Sequence, residues 1–144
     1  MASGRQNNPG WTSDSLIDEI LDKVKTIAVV GISDKASRPS AGVAMTLLNA
    51  GYEVCGVNPK LTAAMGINCY PDLKSIPKKI DLVDVFRRPE AIDPIVDAVI
   101  DLKIPYLWMQ LGVINPDAAH RVADAGIKVI MDRCMAVELS VRGR

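Results

Sequence analysis

Residues 26–40 read Thr26-Ile27-Ala28-Val29-Val30-Gly31-Ile32-Ser33-Asp34-Lys35-Ala36-Ser37-Arg38-Pro39-Ser40, and the reading of the fold starts there. The first five residues form a short apolar run without polar alternation. That is the signature of a strand buried on both faces, and such strands belong to parallel sheets. Gly31 ends the run and a polar loop follows. Pro39 suits the first turn of a helix, where a missing N–H costs nothing. Val43, Met45, Leu47 and Leu48 carry that helix towards Gly51, which serves as a C-terminal stop.

The same unit recurs along the chain. Upstream, Ser13 is an N-cap, and Leu16, Ile17, Ile20, Leu21 and Val24 recur at helical spacing, so residues 13–25 predict an amphipathic helix packed on the sheet. Downstream, residues 52–57 predict a second strand closed by Asn58-Pro59-Lys60. A polar segment with Tyr70-Pro71 and a short turn or helix over 72–76 leads to a third strand, 82–86. Residues 89–102 predict a crossover helix, 106–109 a fourth strand, 116–125 a helix ended by Gly126, and 128–131 a fifth strand. Strands alternating with helices in this way predict an α/β fold, a Rossmann-like open, doubly wound sheet of about five parallel strands with helices on both faces. Residues 1–12 are expected to be a flexible polar tail and 13–144 a single domain.

Composition narrows the function. Of 144 residues 49% are apolar and 24% charged, enough for a full core and unlike a disordered chain. Seventeen Lys+Arg balance seventeen Asp+Glu. A net charge of zero argues against a nucleic-acid binder, and 4% aromatic residues leave little for base stacking. No apolar run is long enough to span a membrane. Cys55, Cys69 and Cys134 lie far apart with no CxxC spacing, and His120 is the single histidine, so no zinc site is expected. An odd cysteine count and an N-terminus without a secretory signal make the cytoplasm the expected compartment.

In doubly wound sheets, ligands bind beyond the carboxyl ends of the strands, where strand order reverses. The loop after the first strand is neither a GxGxxG nor a Walker A loop. Even so, Gly31 permits close backbone approach, and Ser33, Ser37 and Ser40 supply hydroxyls. Lys35 and Arg38 place positive charge just ahead of a helix N-terminus, a setting that favours phosphate. At the end of the second strand, NAD-binding proteins place a carboxylate on the ribose. Here Asn58, Pro59 and Lys60 stand instead. A cation without a carboxylate fits an extra ribose phosphate, which both NADP and coenzyme A carry, and the residues alone leave those two open.

Six further pieces bear on that choice: Val30-Gly31-Ile32-Ser33, Arg38-Pro39-Ser40, Gly56-Val57-Asn58-Pro59-Lys60, Val83-Asp84-Val85-Phe86-Arg87, Trp108-Met109-Gln110-Leu111-Gly112 and Met131-Asp132-Arg133-Cys134-Met135. In order and spacing, from about residue 26 to 139, they resemble the small stand-alone CoA-binding proteins. Those are similar to the N-terminal CoA-binding domain of the succinyl-CoA synthetase alpha subunit. The resemblance implies that Gly31, Ser33 and Arg38 meet the pyrophosphate, and that Pro59 and Lys60 meet the 3′-phosphoadenosine end. It further implies that Val85 and Phe86 line an adenine slot and that Trp108 and Gln110 line the route of the pantetheine arm. Asn58 and Arg87, which fall in the matching pieces, join this set with Lys35 and Ser40 of the loop. One departure is Ala41-Gly42, where family members often carry a bulkier side chain.

The implied function is non-catalytic binding of coenzyme A or an acyl-CoA, as a sensor, a carrier or a partner-regulated module. The alternatives are an NADP-dependent oxidoreductase and a scaffold module with a vestigial pocket. No phosphorylated-histidine domain and no nucleophile with a histidine base is read from the chain, so synthetase activity is not expected to transfer. Cys134 beside Arg133 has two readings, a thiol able to form a mixed disulfide with CoA or an inert cysteine. The expected partner is a small molecule, with no nucleic acid and no membrane. The apolar faces of the first helix and of the segment after Cys134 are left open to the domain itself, a protein partner or a second copy.

Overall fold

The structure, a computed structural model, describes residues 9–144. Its strands are β1 (Thr26–Val30), β2 (Glu53–Val57), β3 (Ala63–Ala64), β4 (Ile67–Tyr70), β5 (Leu82–Val85), β6 (Tyr106–Met109) and β7 (Lys128–Met131). Its α-helices are α1 (Asp14–Lys23), α2 (Pro39–Asn49), α3 (Asp93–Asp101), α4 (Pro116–Asp124) and α5 (Met135–Val141). One sheet runs in the order β3-β4-β2-β1-β5-β6-β7, parallel throughout except for the β3–β4 pair. The α/β doubly wound architecture is therefore as read from the sequence. Connections leave β1 towards β2 and β4, then return across β1 to β5. The reversal falls between β1 and β5, which is where a ligand crevice opens in such sheets.

Every residue of β1 is buried, as a central strand requires. Alternation along the strands divides the core into two layers. Ala28, Val30, Val83, Val85, Leu107 and Met109 face one side and pack under α3 and α4. Ile27, Val29, Leu82, Trp108 and Ile130 face the other, covered by α1, α2 and α5. The Ser13 hydroxyl caps α1 by accepting from the Leu16 N–H at 3.3 Å, and Ile17, Ile20 and Leu21 form its buried stripe.

Four features differ from the sequence reading. The sheet gains β3 and β4 from the polar segment after β2. Ala64 pairs with Ile67 across a two-residue turn in which Met65 and Gly66 both have positive φ, a tight hairpin that a methionine in first position disguises. The expected helix over 89–102 is a 3-10 turn, Pro89–Ala91, followed by α3, because Pro94 can stand only in a first turn. The apolar segment after Cys134 is a helix, α5, with Met135 and Leu139 buried. Finally, residues 1–8 of the expected tail lie outside the described residues, whereas Pro9–Thr12 form a 3-10 turn. Trp11 in that turn meets His120 edge to face, ring centroids 5.2 Å apart, and His120 is half-buried. No helix among the described residues is long and apolar enough to cross a membrane.

Candidate functional site

Gly31 sets the geometry at the reversal point. Its φ is +89°, and a Cβ there would lie 2.4 Å from the Phe86 carbonyl oxygen, so only glycine lets the β1 tip pass the β5 tip. Its N–H donates to the Val57 carbonyl at 2.9 Å, which ties in β2. The loop that follows is folded by its own hydroxyls. Ser40 Oγ accepts from the Ser33 N–H at 3.0 Å, and Ser33 Oγ accepts from the Lys35 N–H at 3.0 Å. Asn58 clasps the β2 tip to this loop. Its Nδ2 donates to the Ile32 carbonyl at 2.9 Å, and its Oδ1 accepts from the Lys60 N–H at 2.8 Å. Arg38 is the N-cap of α2 and places no side-chain hydrogen bond on the helix.

Three clefts meet at this point. The first, about 610 Å³, lies over the loop and is lined by Gly31, Ser33, Lys35, Arg38, Ser40, Asn58, Lys60 and Phe86, with Asp34 as its acidic residue. The second, about 400 Å³, opens on the other side of Gly31 towards α3, with walls from Val57, Pro59, Pro71, Leu73 and Ile95 and with Arg87, Asp72 and Glu90 as its charged residues. The third, about 520 Å³, runs from Pro39 and Phe86 to the β6 tip and is lined by Val43, Arg87, Arg88, Gln110, Leu111, Val113 and Cys134. Pro39 and Phe86 wall both the first and the third cleft, so the two are neighbours. Lys35, Arg38, Lys60, Arg87 and Arg88 surround this space, and none of them enters an ion pair among the described residues.

Behind the third cleft lies a buried polar pair. Asp84 is fully buried in the middle of β5, and its Oδ1 accepts from Gln110 Nε2 at 2.6 Å. Burial pushes the Asp84 carboxyl up to about 8, although the Gln110 hydrogen bond pulls the other way, so it holds its proton at neutral pH. Its Oδ2 has no hydrogen-bond partner among the described residues.

The chain matches the model of the CoA binding domain over residues 25–140. It is 39% identical to YneT of Bacillus subtilis (strain 168) over 129 residues, 90% of this chain and 96% of that one. It superposes on a Pyrococcus horikoshii OT3 protein with a TM-score of 0.86 at 36% identity, covering 90% of this chain and 91% of the other. It also superposes on acetyl-coenzyme A synthetase 1 of Ca. Korarchaeum cryptofilum, with a TM-score of 0.65 at 23% identity. That alignment covers 77% of this chain but 26% of the synthetase, and it shows a shared fold alone. The chain belongs to the CoA-binding domain family.

Within this CoA-binding domain, the structure gathers most residues singled out in the sequence. Gly31, Ser33, Lys35, Arg38, Ser40, Asn58, Lys60 and Phe86 line one cleft, Pro59 and Arg87 the second, and Phe86, Arg87 and Gln110 the third. Ser33, Ser40 and Asn58 also brace the loop, so their hydroxyl and amide groups shape the cleft as well as face it. Val85 and Trp108 line none of the three. Val85 is wholly buried beneath α3 and α4, because strand alternation turns it away from Phe86. Trp108 is wholly buried too, and its indole N–H donates to the Arg133 carbonyl at 2.8 Å. Sequence reasoning missed Asp84, whose signal was a charged residue inside a strand otherwise buried on both faces. It also missed the apolar walls from Pro71, Leu73 and Ile95, which lie in separate segments that only the sheet order brings to the site. The small Ala41-Gly42 pair is not forced by packing at Gly42, where a Cβ would meet nothing within 4 Å.

Proposed function

We propose that this domain binds coenzyme A or an acyl-CoA without catalysing a reaction by itself, acting as a sensor, a carrier or a partner-regulated module. The observation that carries this reading is the group of unpaired cations around the strand tips. Five positive side chains that enter no ion pair among the described residues, against Asp34, Asp72 and Glu90 in the cleft linings, leave an excess of positive charge that suits a ligand rich in phosphate. Arg38 and the loop around Gly31 and Ser33 take the diphosphate, and Lys60 at the end of β2 takes the 3′-phosphate. The flat apolar walls of the second cleft, with Pro59, Pro71, Leu73 and Ile95, suit the adenine better than the buried Val85. The pantetheine arm then leaves across Phe86 towards Gln110 in the third cleft.

An NADP-dependent oxidoreductase would need a proton donor beside the nicotinamide. Tyr106 opens β6 at the opposite end of the sheet, and its hydroxyl donates to Glu19 at 2.6 Å, so it is not placed for that task. The test is calorimetric titration of one preparation with CoA, acetyl-CoA, dephospho-CoA, NADP and NAD. Tight binding of CoA with a clear loss for dephospho-CoA is the expected outcome. Binding of NADP in preference to CoA overturns the reading, and silence with all five supports a vestigial pocket.

A further inference from the structure

The first and third clefts differ in chemistry. The first is lined by hydroxyls, an amide and cations. The third has apolar walls from Pro39, Val43, Phe86, Pro89, Leu111 and Val113, and no carboxylate lines it among the described residues. Pro39 and Phe86 belong to both, so a ligand anchored at the loop after β1 can extend from the polar cleft into the apolar one. The rim of the third cleft is braced to hold a leucine outward. The Gln110 carbonyl accepts from the Val113 N–H at 2.8 Å, and Gly112 between them has a φ of +85°, as the third position of a type II turn requires. Asp132 Oδ1 fixes this turn by accepting from the Gly112 N–H at 2.8 Å. Leu111 is thereby presented at 70% exposure beside the buried Val113. Apolar surface held in water next to an apolar cleft gains free energy from a hydrocarbon that covers it.

We propose that the third cleft is an acyl-chain subsite, so that the domain selects CoA thioesters of uncharged, straight-chain acids over free CoA. The proposal rests on the CoA reading above and names the ligand class within it. The phosphates anchor the ligand at the first cleft, the pantetheine arm crosses Phe86, and the hydrocarbon chain lies along Val43, Val113 and Leu111. Discrimination comes from burial, since each methylene removed from water tightens binding by up to about fourfold. Arg87 and Arg88 do not turn the cleft into a site for a chain that ends in a carboxylate. Both are exposed, where a single ion pair gains little against water. Arg87 moreover runs beside the loop after β1, its Cδ 3.1 Å from where a Gly31 Cβ would stand.

The experiment titrates the whole protein calorimetrically with CoA and with acetyl-, butyryl-, hexanoyl- and succinyl-CoA. Affinity should rise with chain length, with hexanoyl-CoA bound at least about tenfold more tightly than acetyl-CoA. Succinyl-CoA should bind more weakly than butyryl-CoA. Leu111→Ser, at a position already exposed, should keep the native unfolding midpoint and weaken hexanoyl-CoA at least about fivefold more than acetyl-CoA. Equal affinity along the series, a preference for succinyl-CoA over butyryl-CoA, or equal weakening of hexanoyl- and acetyl-CoA by Leu111→Ser overturns the proposal. So does a dimer in sedimentation that Leu111→Ser dissociates, because the leucine then serves a second copy of the chain. If CoA binds while the chain adds nothing, the binding reading stands and this one falls; if neither CoA nor any thioester binds, both fall.

Discussion

The two ends of the sheet are built on opposite electrostatic plans. At the amino ends of the strands, charge is answered locally. Asp81 Oδ2 accepts from the backbone N–H groups of Lys25 and Thr26 at 2.9 and 3.0 Å. Glu53 takes the Thr26 hydroxyl at 3.1 Å and pairs with Lys78 at 3.7 Å. Glu19 receives Tyr106 at 2.6 Å and Lys128 at 2.9 Å, and these partners hold its carboxyl below the usual carboxylate range. At the carboxyl ends, Lys35, Arg38, Lys60, Arg87 and Arg88 have no such partners. One end holds the fold together, while the other leaves these five cations outside any ion pair around three neighbouring clefts. Stability and binding should therefore separate by position.

The largest expected effect breaks both at once. Gly31→Ala forces a positive φ on an alanine, worth about 1–3 kcal/mol by itself, and adds a collision with the Phe86 carbonyl. Urea unfolding should show a clear drop in midpoint and titration a loss of CoA binding; a variant of native stability would contradict the tight crossing of β1 and β5. Next is Arg38→Ala, which should cost about 1.5–3 kcal/mol of affinity as the loss of a charge-assisted hydrogen bond. CoA and dephospho-CoA should weaken alike, with the unfolding midpoint unmoved.

The reverse case is Asp81→Ala. Two backbone donors lose their acceptor, so stability should fall by about 1–3 kcal/mol while CoA affinity stays the same. A large affinity loss there would blur the division between the two ends. The smallest effect belongs to Lys128→Ala, a surface ion pair worth less than about 1 kcal/mol and distant from the clefts.

Asp84 is the exception that sharpens the comparison, a buried acid near the binding end with only one hydrogen bond. Its folded carboxyl titrates at about 8, well above the unfolded value near 3.8. Between those two values the native state binds more protons than the unfolded one, so stability falls as pH rises through that window. Asp84→Asn cannot ionise and should flatten this slope in unfolding experiments across the same range. An unchanged slope would place the titration elsewhere.

The fold was legible because its central elements repeat one physical pattern: buried apolar strands such as Thr26–Val30, closed by Gly31 and followed by a helix with Pro39 in its first turn. The loop and the β2 tip were legible for the same reason, since their residues are contiguous and carry charge. The adenine-side walls were not, because Pro71, Leu73 and Ile95 come together only through the sheet order. Val85 and Trp108 show the converse limit. A motif names the strand tip, but strand alternation decides which side chain faces the cleft, and both face the core. Asp84 carries its meaning only through Gln110, a residue on the neighbouring strand's tip.

The central claim is that the cations at the carboxyl ends read the phosphates of CoA, with Lys60 assigned to the 3′-phosphate. The most direct test measures the affinities of CoA and dephospho-CoA for the native protein and for Lys60→Ala, a double-mutant cycle. The account predicts that the native protein prefers CoA by at least about tenfold, in line with a lost charge-assisted hydrogen bond, and that Lys60→Ala removes that preference. An equal weakening of both ligands by Lys60→Ala would contradict the assignment.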